Sequence, residues 1–543
     1  DTRGSEYFSI RVRDWATAED LDDVVEETDG TAVWSRDGKS FFYVKLDDNH
    51  RPMQVWRHRL GTKQGDDILV YEEQDSGWFT HLHESSSNRF CVIAGGDHET
   101  SEQRLIDLAN PDAPLRLIAA REDGVQYSAN DRGDQLYILT NADDAIDFKV
   151  VTAPLASPER ANWRDLIPYR EGIYVLDVEL YAGYMVRLER ANALPAIVIR
   201  DFATGEEHAI AFDEAAYSLD TMGGYEFDTT NLRFSYSSMT TPSEVYDYDM
   251  AKRTRVLRKR QEIPSGHDPA DYVTTRIMAR SHDGAEVPVS ILHRRDLVRD
   301  GRAPLLLYGY GSYGMAMPAS FNANRLSLVD RGFVYAIAHI RGGSDKGWGW
   351  YLDGKREKKT NSFDDFAAAG RALIETKYTD AKRIVGHGGS AGGMLMGAVA
   401  NRAGELFAGI VAEVPFVDVL NTMLDDTLPL TPPEWPEWGN PIESEKDFRT
   451  ILSYSPYDNL AAKDYPAILA MGGLTDPRVT YWEPAKWIAR LRATMRGGGP
   501  VLLRTNMGAG HGGASGRFNR LDEVAIAYAF ALWAVGLAEK SEV

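Results

Sequence analysis

The chain has 543 residues, a formal charge of −21 and a single cysteine. That length exceeds one hydrophobic core and fits two domains, while the acidity disfavours a nucleic-acid partner and favours cationic substrates through long-range attraction. No apolar run approaches the roughly 18 residues of a membrane helix, which argues against a membrane partner, and Cys91 excludes an intramolecular disulfide framework, suits a reducing compartment such as the cytoplasm, and reads as a buried strand residue.

Along the first half, polar turns precede short apolar runs at regular distances. Asp37-Gly38 leads into Phe41–Val44, Ser87-Asn88 into Phe90–Ile93, Arg132-Gly133 into Leu136–Leu139, Ala182-Gly183 into Tyr184–Val186, and Thr230-Asn231 into Leu232–Tyr236. The turns recur about every 45–50 residues, and further strands follow each, as in Ala196–Arg200, the turn Thr204-Gly205, and His208–Phe212. One four-stranded sheet per repeat predicts the blades of an all-β propeller; a β-sandwich has no need of even spacing. Tyr7–Arg13 reads as the second half of a further blade, for about five and a half blades in all. Pro264, Gly266 and Pro269 break the pattern near Gln261–Tyr272, which divides the chain into a propeller over residues 1–265 and a second domain over residues 266–543.

The second half reads as an α/β-hydrolase catalytic domain. Val273–Ser281 and Val287–His293 form a hairpin around Asp283-Gly284, and Pro304–Tyr308 is an early strand followed by the loop Gly309–Gly314. Arg383–Gly386 is a short apolar strand, Ala391–Asn401 a small-residue helix, and between them stands Gly388-Gly389-Ser390-Ala391-Gly392. A Gly-x-Ser-x-Gly between strand and helix is a nucleophile elbow, because a weakly nucleophilic hydroxyl must stand clear of the backbone beside a base and free N–H donors. A glycine-rich turn that happens to hold a serine is the plainer alternative, disfavoured by the acid and histidine downstream.

Phe407–Val411, Ala467–Met471 and Val501–Leu503 read as successive parallel strands, with a helix over Glu483–Leu491 before the last. In this fold the acid follows the second of them and the histidine the third, which selects Asp476 and His511. Asp418 is the rival acid but comes one strand too early. The predicted triad is therefore Ser390, Asp476 and His511, with the N–H of Ala391 as one oxyanion donor and the loop after Pro304–Tyr308 supplying the other. No metal-ligand spacing and no phosphate-binding glycine loop is present, so no cofactor is expected.

The blocks YGYGSYG (308–314), GGSAGGMLMG (388–397), PFVDVLNTMLD (415–425), WGNP (438–441), YSPYDN (454–459), YWEPAKW (481–487) and GHGGASGR (510–517) resemble the oligopeptidase B branch of the prolyl oligopeptidase family. The resemblance is dense over the C-terminal half and looser before it. It implies a serine peptidase that cuts short peptides after Arg or Lys beneath a seven-bladed propeller that excludes folded proteins, with domain opening as the gate. With fewer blades than that and Asp1 in place of Met, part of the N-terminus is expected to be missing. The resemblance also implies that Tyr310 supplies the oxyanion hydroxyl, that Arg478 holds the substrate backbone, and that Glu434 accepts the P1 cation. At the companion acidic position stands Pro436; Glu437 is the nearby substitute, expected to point elsewhere in an extended segment. Where that branch carries two aspartates favouring a basic P2 residue, this chain has Pro318 and Ser320, so cleavage without strong dibasic preference is expected. Prolyl oligopeptidase activity, a catalytically silent binding protein and a general esterase are the alternatives. The sequence sets no oligomeric state.

Overall fold

The computed structural model describes residues 4–223, 226–516 and 518–538. Five antiparallel sheets follow one another in chain order between Phe8 and Arg260. Their hairpins use the anticipated turns: Gly38, Asn88 and Gly133 adopt positive φ of 65°, 59° and 61°, which Gly and Asn tolerate and bulkier residues do not.

Each sheet packs its face on the next. Val33, Phe42 and Val55 of the first meet Leu82, Ile93 and buried Cys91 of the second. Val92 and Leu105 of the second meet Tyr127 and Ile138 of the third, Tyr137 and Val150 of the third meet Val178 and Met185 of the fourth, and Ile197 and Ile199 of the fourth meet Leu232 and Phe234 of the fifth. This serial chain of cores is radial repetition; a sandwich would enclose one core between two faces. One expectation is corrected. Phe8–Arg13 starts no further blade but pairs antiparallel with Asp20–Trp34 as an extra strand of the first sheet, giving five sheets among the described residues. Its Val12 packs with Val25, Phe41 and Tyr43 on that sheet's other face.

The last propeller strand ends at Arg260, and Tyr272–Arg280 opens an eight-stranded sheet. Edge to edge its strands are Tyr272–Arg280, Glu286–Arg294, Val334–Ala338, Leu305–Tyr308, Ile384–Gly389, Phe407–Glu413, Ala467–Gly473 and Val501–Asn506. Neighbours among the first three pair antiparallel and the rest pair in parallel. Apolar residues line both faces, as a sheet covered on two sides requires. Ile384 and Ile410 face helices Thr360–Glu375 and Ala391–Ala403, while Val385 and Val411 face Ala323–Val329 and Arg520–Ala534.

The propeller covers the carboxyl ends of these strands and is tied to them by charged groups. The Arg51 guanidinium donates to the carbonyls of Asp426, Leu428 and Pro429 at 3.1–3.2 Å. Asp147 accepts from the Trp348 N–H at 2.7 Å, and Lys355 meets Glu99 at 2.7 Å.

Candidate active site

Ser390 stands between the strand Ile384–Gly389 and the helix Ala391–Ala403 with φ 58° and ψ −122°, a conformation costly for a residue with a Cβ. The turn is held because the Ser390 N–H donates to the Glu413 carbonyl at 2.8 Å and the Ser390 carbonyl accepts from Gly393, Met394 and Phe416. Two of the motif glycines are sterically required. A Cβ on Gly388 would lie 2.3 Å from the Gly392 carbonyl oxygen, and one on Gly392 would lie 2.9 Å from the Gly309 carbonyl oxygen. The buried Ala391 begins the helix, where first-turn N–H groups have no intrahelical acceptor.

Asp476 lies in the turn after Ala467–Gly473 and is buried. Its Oδ1 accepts the N–H groups of Arg478 and Val479 at 2.9 Å, and its Oδ2 meets His511 Nδ1 at 2.8 Å. The acid is thus locked before the imidazole meets it. Asp418, the rival, lies elsewhere, paired with Lys486 and accepting from Asn421. His511 and Ser390 line the same cavity of about 410 Å³, although no hydrogen bond joins them among the described residues.

Tyr310 lines this cavity too. Burial, and next the Glu434 charge, push its phenol well above the ordinary value, while the nearby Ser390 hydroxyl acts in the opposite sense. It therefore remains a proton donor at any working pH.

Glu434 lines the same cavity, but the backbone there differs from expectation. Thr431–Trp438 is a helix and not an extended segment. Pro432 and Pro433 fall in its first turn, where a missing N–H costs nothing. Glu434 and Glu437 are consequently neighbours at i and i+3. Tyr313 joins them, its hydroxyl donating to Glu434 Oε2 at 2.8 Å and its N–H to Glu437 Oε1 at 3.2 Å. Trp438 Nε1 also donates to Glu434 Oε2 at 2.7 Å. Oε1 of Glu434 has no hydrogen bond among the described residues. Burial pushes this carboxyl above the ordinary glutamate range, against the two donors. Glu437 is fully buried outside the cavity, accepting from the Tyr351 hydroxyl at 2.7 Å near the Lys359 ammonium, so it does not substitute at the companion position.

Arg478 lines the cavity with its guanidinium on Glu6, at 2.7 and 3.0 Å. Met315 reaches the cavity; Pro318 and Ser320 do not, because the neighbouring Met317, Ala319 and Phe321 pack into the core beside Ala323–Val329. Two propeller residues unmarked in the sequence, Phe79 and His98, complete the wall, and the His98 ring lies 5.3 Å from that of Tyr313. Tyr313 itself carried a signal, standing in the glycine-rich loop beside Tyr310. Among the described residues no group of three or more His, Cys, Asp or Glu could hold a metal ion.

A serine elbow at the carboxyl ends of an α/β sheet, covered by a propeller, defines the class of propeller-capped serine hydrolases. Residues 1–261 match the prolyl oligopeptidase N-terminal beta-propeller domain and residues 319–538 the prolyl oligopeptidase family. Dipeptidyl aminopeptidase BI of Pseudoxanthomonas mexicana is 45% identical over 99% of this chain and 74% of its own length. Protease 2 of Moraxella lacunata is 39% identical over 99% of this chain and 78% of its own. Oligopeptidase B from Leishmania major superposes with a TM-score of 0.95 at 36% identity, covering 98% of this chain and 76% of that one. The chain belongs to the prolyl oligopeptidase family and is a serine peptidase close to oligopeptidase B.

Proposed function

We propose that the chain is an oligopeptidase that cleaves short peptides on the carboxyl side of Arg or Lys through an acyl-enzyme at Ser390. The observation that carries this reading is the unsatisfied Oε1 of Glu434 in a cavity it shares with Ser390. A half-buried carboxylate with one oxygen held and one open is built to accept a guanidinium or ammonium.

In this reading Ser390 attacks the acyl carbon, and His511 takes its proton and returns it to the leaving nitrogen. Asp476 fixes the imidazole and stabilises its cation. Tyr310 and the Ala391 N–H stabilise the oxyanion, and Arg478 holds the substrate backbone once Glu6 yields it. The division between propeller and catalytic domain is drawn at residues 265 and 266. Pro318 and Ser320 carry no carboxylate and do not reach the cavity, which supports cleavage without strong dibasic preference, and the buried lone thiol suits a cytoplasmic site.

A second reading is favoured by one observation. A cavity of about 430 Å³ adjoins the first at Phe79, Pro429, Leu430, Pro477 and Arg478, and Glu6 and Asp29 line it. Carboxylates beyond the acyl-side arginine suit an N-terminal ammonium, and hence release of dipeptides from a free amino terminus, the activity named for the Pseudoxanthomonas relative.

One substrate panel tests both readings. Chromogenic peptides ending in Arg or Pro, with Ala or Arg at P2 and with free or blocked amines, are assayed with Ser390→Ala as control. Cleavage after Arg that is lost in the variant is expected, with Ala and Arg at P2 comparable. Cleavage after Pro alone would remove Glu434 from its role. Strict dependence on a free amine two residues from the bond would select dipeptide release over endopeptidase action.

A further inference from the structure

A second cavity, of about 490 Å³, meets Ser390 and His511 and shares no other lining residue with the Glu434 cavity. It lies between the carboxyl ends of the strands from Ile384–Gly389 to Val501–Asn506 and the helices Ala323–Val329 and Arg520–Ala534. Its charged lining sets three arginines, Arg325, Arg504 and Arg520, against two carboxylates. Both carboxylates are engaged: Glu413 with His387 at 3.2 Å, and Glu523 with Asn506 Nδ2 at 2.7 Å and the Ala514 N–H at 3.2 Å. Arg325 and Arg520 each hold one backbone carbonyl, of Ser320 and Gly512. The Arg504 guanidinium makes no hydrogen bond or ion pair among the described residues. In a chain of net charge −21, a wall with open guanidinium donors beside the nucleophile calls for an anion.

Acyl transfer gives that anion a source. When the peptide C–N bond breaks, the acyl carbon stays on Ser390 Oγ, the His511 proton goes to the departing nitrogen, and the leaving fragment carries away a new amine and its own carboxylate. The acyl half fills the Glu434 cavity, so the leaving half must depart past His511 on the other side of Ser390. We propose that the arginine-lined cavity is the leaving-fragment subsite and that it binds a carboxylate close behind the scissile bond. The proposal rests on Ser390 acting as the nucleophile. An acidic acyl side and a basic leaving side then orient a peptide that carries a P1 cation and a nearby carboxylate, and they favour short leaving fragments. The carboxylate comes from the C-terminus or from an acidic side chain at P1′ or P2′, and the assay separates the two.

Three peptides are compared: blocked acyl-Arg-Ala-Ala as free acid, the same as C-terminal amide, and acyl-Arg-Asp-Ala as amide. The free acid is expected to exceed the neutral amide in kcat/KM by about fivefold, the worth of one solvent-exposed charge pair. The advantage should shrink with added salt. If the Asp amide matches the free acid, any nearby carboxylate serves; if it matches the neutral amide, the terminal carboxylate is the ligand. Arg504→Glu should reverse the acid-to-amide ratio. A measurement needing no variant is competitive inhibition by Ala-Ala, expected to be stronger than by Ala-Ala amide. Equal rates for acid and amide, with Ser390-dependent cleavage after Arg intact, would overturn the subsite. Cleavage of none of the three would instead strike the assignment of Ser390 and Glu434, and this proposal with it.

Discussion

Replacing Glu434 by Gln removes one charge and preserves most of the geometry. The amide oxygen can still accept from Trp438 and Tyr313, as Oε2 does at 2.7 and 2.8 Å. The amide nitrogen then points a donor at the cavity where Oε1 offered an acceptor, so a bound P1 guanidinium loses its counter-charge and meets a like dipole. Truncating one partner of a buried charge pair costs about 2–5 kcal/mol. At about 1.4 kcal/mol per decade, kcat/KM for Arg substrates should fall by roughly one and a half to three and a half decades. The neutral isostere citrulline at P1 should be nearly unaffected.

The charge also predicts a pH signature. Burial raises the Glu434 carboxyl above its ordinary 4.5. The ionised form holds the P1 cation, so kcat/KM for Arg substrates should drop as pH falls through that raised pKa. The Glu434 limb is the one seen with Arg, missing with citrulline and missing in Glu434→Gln. The assay is steady-state hydrolysis of paired Arg and citrulline peptides from about pH 4.5 upward, starting at the ordinary glutamate value. Loss of less than threefold on Arg, or equal loss on both substrates, would refute the placement of S1 at Glu434.

Two further outcomes are expected. Tyr310→Phe should lower kcat by about 10²–10³ with KM little changed, because the hydroxyl meets full negative charge only in the tetrahedral stage; single-turnover kinetics check this. Glu483, 1% exposed and accepting the N–H groups of Val417 and Asp418 and the Thr422 hydroxyl, has its carboxyl pushed up to about 7 by burial. Between about pH 4.5 and 7 the folded chain holds a proton that the unfolded chain has released, so stability falls as pH rises, by up to about 3 kcal/mol from this group. Glu483→Gln should flatten that decline in thermal midpoint, and parallel curves for the two proteins would count against it.

The sequence by itself determined the features whose causes are local. The hairpins of the first three sheets were legible because their turns hold Gly or Asn at positive φ, and the even recurrence of polar turns set the repeat. The elbow was legible because a strained serine between strand and helix needs glycine at 388 and 392, where any Cβ meets backbone oxygen. The order of Ser390, Asp476 and His511 followed from the order of parallel strands, each legible as an apolar run. Tertiary structure alone decided the rest. Phe8–Arg13 looked like half a blade because strand patterning does not say which sheet a strand joins; its partner Asp20–Trp34 decided that. Thr431–Trp438 looked extended because three prolines mask helical periodicity, and Glu437 is drawn into the core by Tyr351 from a distant part of the chain. Phe79, His98 and Glu6 reach the site only because the propeller folds back over the sheet, and no local pattern encodes a contact made across hundreds of residues. The two cavities flanking Ser390 are tertiary products as well: the acidic one needs the propeller wall, and the basic one needs the last helix laid against the ends of the strands.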